Sequence, residues 1–344
     1  MKETNNSAQA ANSSVNATTQ TNYSQQHSVG MDATGQAIEA SLINGFPYYR
    51  ILLPHSKPTP YQKFVETIDG KTDAKFKAIA AIPALCYNGT IAYVIVLTDK
   101  GQVGLLYQET TNLTWRWYGL MPNKPVYFGY FNWIAVNTGF NGNAQVVLIN
   151  ETGTPALLSQ DNLSGNWTWD WLPPNYSITP PNYALHLSTV QLGRGYVGDL
   201  QAVFTGQDGL AYVIRQDNNT GSWAFYERLP GDSNTNFTLV QIDNSYNHNL
   251  QCVFQSTNNQ LYLIWLNSST GEWSWYGRLP IAPEVGNKPI ISYLLRKSNQ
   301  TINLFIVYES SDPGLYDLYR ILQDAKGVWT WQGLFTTTNK PYPS

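Results

Sequence analysis

The chain has 344 residues, of which 42% are hydrophobic, 14% aromatic and 12% charged, with a formal net charge of −3. Its charges are spread without blocks, which excludes a basic face for nucleic acid and gives no attraction to anionic membranes. No apolar run is long enough to span a bilayer, so membrane insertion is not expected, and the length fits one closed β architecture as well as two average domains.

The chain opens on Asn, Ser, Thr, Gln and Ala, with Tyr23 as the one aromatic before residue 40. Such a stretch buries too little apolar surface to offset its ordering entropy, so residues 1–44 are assigned to a disordered polar tail and 45–344 to the folded domain. The first residues, MKETNNSAQAANSS, lack the apolar core of a secretory signal. From Phe46 the chain turns apolar, and FPYYRILLP resembles the end of a repeat without its earlier strands. A polar connection of unassigned structure, Thr59 to Lys75, follows.

Five related segments then mark the chain: NLTWRWYGLMP, LSGNWTWDWLP, TGSWAFYERLP, STGEWSWYGRLP and AKGVWTWQGLF. Ten of the 12 tryptophans fall in them: Trp115, Trp117, Trp167, Trp169, Trp171, Trp223, Trp273, Trp275, Trp329 and Trp331. Each segment ends a unit of about 50 residues that reads as four short strands separated by Gly, Asn and Asp turns. In the third unit these are YALHLSTVQL, LQAVFT, LAYVIRQ and SWAFYERLP. The second strands are nearly all apolar, as expected where a sheet is covered on both faces, and no helix is predicted. A four-stranded antiparallel meander repeated about one axis is an all-β fold, a β-propeller. Five repeats predict five blades, and the lone segment at Phe46 with the trailing NKPYPS leaves room for a divergent sixth or for closure by strand exchange. Asn-Lys-Pro recurs after motifs at Asn123, Asn287 and Asn339.

Over GDLQAVFTGQDGLAYVIRQDNNTGSWAFYERLPG the sequence resembles bacterial propeller lectins of the Photorhabdus type. The resemblance extends from Phe76 to Phe335, and the five-repeat count is closer to tachylectin-2 and the tectonins. It implies a non-enzymatic, multivalent sugar-binding propeller with equivalent sites between blades, glycans as partners, and no cofactor. It carries no position-by-position site, and it leaves self-association of the chain open.

The site residues are therefore read from the repeats themselves. Sugar rings stack their C–H faces on aromatic rings while polar neighbours bind hydroxyls. The first tryptophan of each copy is assigned to packing between blades. The second aromatic, Trp117, Trp169, Phe225, Trp275 or Trp331, serves equally as packing or as ligand contact, and so do Tyr118, Tyr226 and Tyr276. Arg228 and Arg278 fall at matching positions and suit hydroxyls or a sugar carboxylate. Gln108, Gln160 and Gln216 end the third strands, either as hairpin-rim residues or as hydroxyl contacts. A propeller glycosidase, the alternative, needs two carboxylates from different blades at non-repeating positions. Asp170, Asp199, Asp217, Glu227, Asp243 and Glu309 are available without a signature, and a non-catalytic attachment scaffold is the third reading. His27, His55, His186 and His248 form no metal pattern. Cys86 and Cys252 stand at different places in their repeats, which predicts free buried thiols.

Overall fold

The computed structural model describes residues 27–339 except 53–58, 87–88, 122–123, 173–185, 196–197, 233–234, 245–248, 281–288, 297–301 and 310–314. Several strand side chains, those of Phe225 and Tyr226 among them, also lie outside the description.

The strands form six four-stranded sheets, and within each every strand pairs only with its neighbour in sequence. Blade 1 spans residues 27–63, blade 2 76–120, blade 3 131–171, blade 4 187–228, blade 5 237–278 and blade 6 289–339. All pairings within the blades are antiparallel, as in the register of blade 4, where Ala202 faces Ile214 and Tyr212 faces Arg228. The first strands of consecutive blades lie against one another from blade 1 through blade 6. Sheets radiating in this way from their first strands make a β-propeller.

The tryptophan-marked repeats are blades 2 to 6. Blade 1 is the divergent sixth for which the sequence left room. Its first two strands, His27–Met31 and Ala37–Ile43, fall inside the segment expected to be a tail, and this corrects the domain boundary. The reason lies in AIEASLI. Ile38, Ala40 and Leu42 alternate at period two and are buried against blade 2, a pattern masked by the Glu and Ser between them. Gly30 belongs to the same packing, since a Cβ there would lie 2.5 Å from that of Ala81. Residues 1–26 lie outside the described residues. Phe46–Ile51 is the third strand of blade 1, Gln62–Lys63 the fourth, and Phe64 and Ile68 of the polar connection are buried.

The second strands, AQVVLIN, LQAVFTG and LQCVFQS, are buried at every residue. Their two faces serve two different cores. Leu200, Ala202 and Phe204 pack toward blade 3, while Val203 packs toward blade 5. The core is thus a set of layers between blades, with Ile38, Val94 and Trp115 in the first and Leu304, Ile306 and Trp329 in the last. Cys86 and Cys252 are free and buried in separate layers, and burial pushes the Cys86 thiol up to about 12. Among the described residues no α-helix is present, and Val126–Phe128 and Phe140–Gly142 are 3-10 turns. The Asn-Lys-Pro recurrences at Asn123 and Asn287 lie outside the described residues.

Candidate functional site

The outer strands carry the repeated aromatics, and their register decides which of those reach solvent. In blade 2 Leu106 faces Trp117 and Leu105 faces Gly119, so Tyr118 is left over on a bulge. Tyr276 is left over in blade 5 between Trp275 and Gly277, and Tyr226 in blade 4 between Phe225 and Glu227. Gln332 takes that place in blade 6. A bulge residue makes no ladder pair and re-aims its side chain. Tyr118 is accordingly 59% exposed and Tyr276 44%. The glycine after the bulge has φ of +129° at Gly119 and +104° at Gly277, a region closed to most side chains. The outer-strand pairing of blade 3 has no bulge. Its copy is one residue shorter from first tryptophan to proline, Trp167 to Pro173 against Trp223 to Pro230.

The second aromatics behave differently. Trp169 lies parallel to Phe131 at 5.7 Å, Trp275 stacks on Tyr262 at 5.5 Å and Trp331 on Tyr319 at 5.4 Å. Trp117 covers Gly104, where a Cβ would collide with its ring, and its Nε1 donates to Asp69 Oδ1 at 2.8 Å. Each of these half-buried indoles gives a face or an edge to packing. Phe225 pairs with Ile214 in the ladder, and its side chain, like that of Tyr226, lies outside the described residues. The first tryptophans pack as expected, with Trp115, Trp223 and Trp329 buried.

Arg228 and Arg278 are both exposed, each opposite a tyrosine of the neighbouring strand, Tyr212 and Tyr262. Arg228 also lines a groove of about 410 Å³ with Glu227 and Pro230 of blade 4 and Gly271, Glu272 and Trp273 of blade 5. That volume suits a small ligand. Burial pushes the Glu227 carboxyl up. The Trp273 indole N–H is buried without a hydrogen-bond partner.

The glutamines prove to be hairpin and inter-blade clamps. Gln108 Oε1 accepts from the Ala33 amide of blade 1 at 2.7 Å, and its Nε2 donates to the Leu113 carbonyl at 2.6 Å. Gln216 accepts from Phe140 N of blade 3 at 3.0 Å and donates to the Gly221 carbonyl at 3.1 Å. Gln160 reaches Tyr93 Oη of blade 2 at 2.9 Å. Gln323 joins the series, accepting from Gln251 at 2.9 Å and donating to Gly327 at 3.1 Å. All four are buried. Of the available carboxylates, Asp217 binds the amides of Asn219 and Thr220 in its own turn, and buried Asp199 pairs with Arg215 and Gln201.

One charged cluster was not foreseen. In blade 1 Glu39 accepts from Arg50 Nε at 2.7 Å and from Tyr61 Oη at 2.8 Å, with His27 Nδ1 3.4 Å away and Ser41 bridging His27 and Tyr61. Burial raises the Glu39 pKa, but the His27 hydrogen bond and the Arg50 charge outweigh it and hold the group at about 2. Glu39 and Ser41 share the blade face opposite to Ile38 and Ala40. The signal was the alternation of Glu39 and Ser41 with apolar residues, in a stretch read as tail.

No protein-family model matches the sequence, and no curated protein does. Solved structures do match in fold. The chain is similar to the BP39L lectin of Burkholderia pseudomallei at 12% identity, with 91% of this chain and 99% of that one covered and a TM-score of 0.59. A fungal lectin from Aleuria aurantia, described as a six-bladed β-propeller with a novel mode of fucose recognition, matches at 14% identity, 94% and 98% coverage and a TM-score of 0.56. A catalytically inactive virginiamycin B lyase of Staphylococcus aureus, bound to quinupristin, matches at 13% identity, 90% and 85% coverage and a TM-score of 0.51. At these identities the likeness establishes the propeller fold, shared by binding proteins and a lyase alike.

Proposed function

We propose that this protein is a carbohydrate-binding propeller, of the bacterial Photorhabdus type that its repeats resemble, acting through shallow sites on the outer strands of several blades. The observation that carries the reading is the pair of bulge tyrosines, Tyr118 and Tyr276. They occupy equivalent places in two blades, are left out of the ladder on a bulge, and are exposed. An exposed ring on a rigid strand offers a flat face to a sugar at small entropic cost, and Arg228 and Arg278 stand two residues beyond the bulge positions of blades 4 and 5 to donate to hydroxyls. Tyr226 belongs to the same series by register. The packed indoles Trp117, Trp169, Trp275 and Trp331 support the platform, and Phe225 holds the equivalent ladder position in blade 4.

Equivalent weak sites gain strength together when a surface presents several sugars at reachable spacing. The fucose recognition of the Aleuria lectin makes fucosylated glycans the first to test. The experiment is a glycan array probed with the purified full chain. Binding to glycans sharing one terminal sugar is the expected result, and binding to none by a folded sample would remove the reading. Release of free sugar from the bound glycans would instead favour hydrolysis. Glu227 and Glu272, brought by different blades to one groove, are then the residues to test.

A further inference from the structure

The groove between blades 4 and 5 differs in charge from the corresponding place between blades 5 and 6. Aligned on the first tryptophan, Glu227, Arg228 and Pro230 of blade 4 correspond to Gly277, Arg278 and Pro280 of blade 5. Gly271, Glu272 and Trp273 correspond to Gly327, Val328 and Trp329. The arginine is kept at both boundaries, while both carboxylates are present at one and absent at the other. Glu227 stands where three other blades have a glycine of positive φ, at Gly119, Gly277 and Gly333. The bulge therefore does not require it.

We infer that the groove lined by Glu227, Arg228 and Glu272 binds a sugar ring that lacks a carboxylate and rejects the same ring bearing one, whereas the Arg278 position does not reject it. The inference rests on the carbohydrate reading and deepens it. Two carboxylates against one guanidinium leave the groove one charge negative. A uronate entering it meets like charge on both walls, and like charges held close oppose binding. A neutral ring meets matched groups instead. Its hydroxyls donate to Glu227 and Glu272 and accept from Arg228, and Pro230 supplies an apolar contact. By alignment the Arg278 position has Gly277 and Val328 in place of the two carboxylates, so a sugar carboxylate there finds a donor without those opposing charges.

The test uses the full chain and a reporter inside the groove, the indole N–H resonance of Trp273, assigned through Trp273→Phe. Methyl galactoside and methyl glucoside are titrated against the matching galacturonide and glucuronide. In the wild type a neutral glycoside should move the Trp273 resonance at concentrations about tenfold lower than its uronide. In Glu227→Gln/Glu272→Gln, which keeps size and hydrogen bonding, that gap should close to about twofold. An equal response to both sugars in the wild type, or an unchanged gap in the variant, overturns the inference. So does a silent Trp273 while the chain still binds glycans elsewhere, and in that case the carbohydrate reading survives. If no glycoside moves any indole resonance and the glycan array is also blank, both fall. Glu227→Gly, which restores the glycine of the other blades, is the second variant should the double change perturb folding.

Discussion

Neighbouring residues of one outer strand have opposite surroundings, and two substitutions test the roles proposed for them. Trp275 stacks on Tyr262 at 5.5 Å within the layer between blades 4 and 5, whereas Tyr276 is 44% exposed on the bulge. Trp275→Ala should lower stability by about 2 kcal/mol or more, read from urea unfolding, because it opens a gap in a packed layer. Tyr276→Ala should leave the melting temperature nearly unchanged and reduce glycan binding in part. If the two effects are reversed, the tryptophan is the contact and the tyrosine the packing residue. Titration adds a second prediction. The folded pKa of Glu39 is about 2 against an ordinary 4.5, so its contribution is fully present above about 4.5 and is lost as pH falls toward 2. That loss is on the order of 3 kcal/mol. Burial raises Asp199 to about 6 against Arg215 and Gln201, so its contribution has the opposite sign and is lost as pH rises from about 4 through 6. Unfolding free energy measured from pH 7 to pH 2 should fall steeply at the acid end, and Glu39→Gln should flatten that end alone.

At the scale of the element, the outer strands of blades 2, 4, 5 and 6 carry a bulge and the third strands of blades 2, 3, 4 and 6 a glutamine clamp. The third-strand glutamines tie the outer hairpin to the preceding blade, as at Gln216, which is buried and makes two part-buried hydrogen bonds. Gln216→Leu strands the Phe140 amide and the Gly221 carbonyl and should cost about 1–3 kcal/mol, measured by denaturant unfolding, without altering sugar binding by the folded fraction. Loss of binding at full stability would make the glutamine a ligand contact. The strands themselves were legible in sequence because turn residues and period-two alternation act locally. LQAVFT, expected from Leu200 to Thr205, is a strand from Leu200 to Gly206. The site was less legible, because its exposure depends on register. Tyr226, Tyr276 and Tyr118 look like any third aromatic of WxWY until the ladder shows the extra residue. The one-residue shortening of the blade 3 copy was the visible sign of that bulge.

For the whole molecule the deciding feature is blade 1. Its strands lack the tryptophan motif and begin in what reads as a polar leader, so the repeat count came to five from sequence and six from pairing. Residues 27–43 supply two of its four strands and bury Ile38, Ala40 and Leu42 against blade 2. A chain starting at residue 27 should keep its melting temperature within a few degrees, since residues 1–26 carry little apolar surface. A chain starting at residue 45 should lose cooperative unfolding or melt much lower, by calorimetry. Equal melting of the two would show that blade 1 is dispensable. The proposed sites would make the propeller a multivalent surface, and a graded loss is the mark of that arrangement. The most direct measurement is binding of the wild type, Tyr118→Ala, Tyr276→Ala and the double variant to a surface coated with the best glycan from the array, with melting temperatures in parallel. The prediction is a partial loss for each single variant, a much larger loss for the double, and unchanged melting throughout. Undiminished binding by a fully folded double variant would contradict the proposal that the bulge tyrosines hold the sugar.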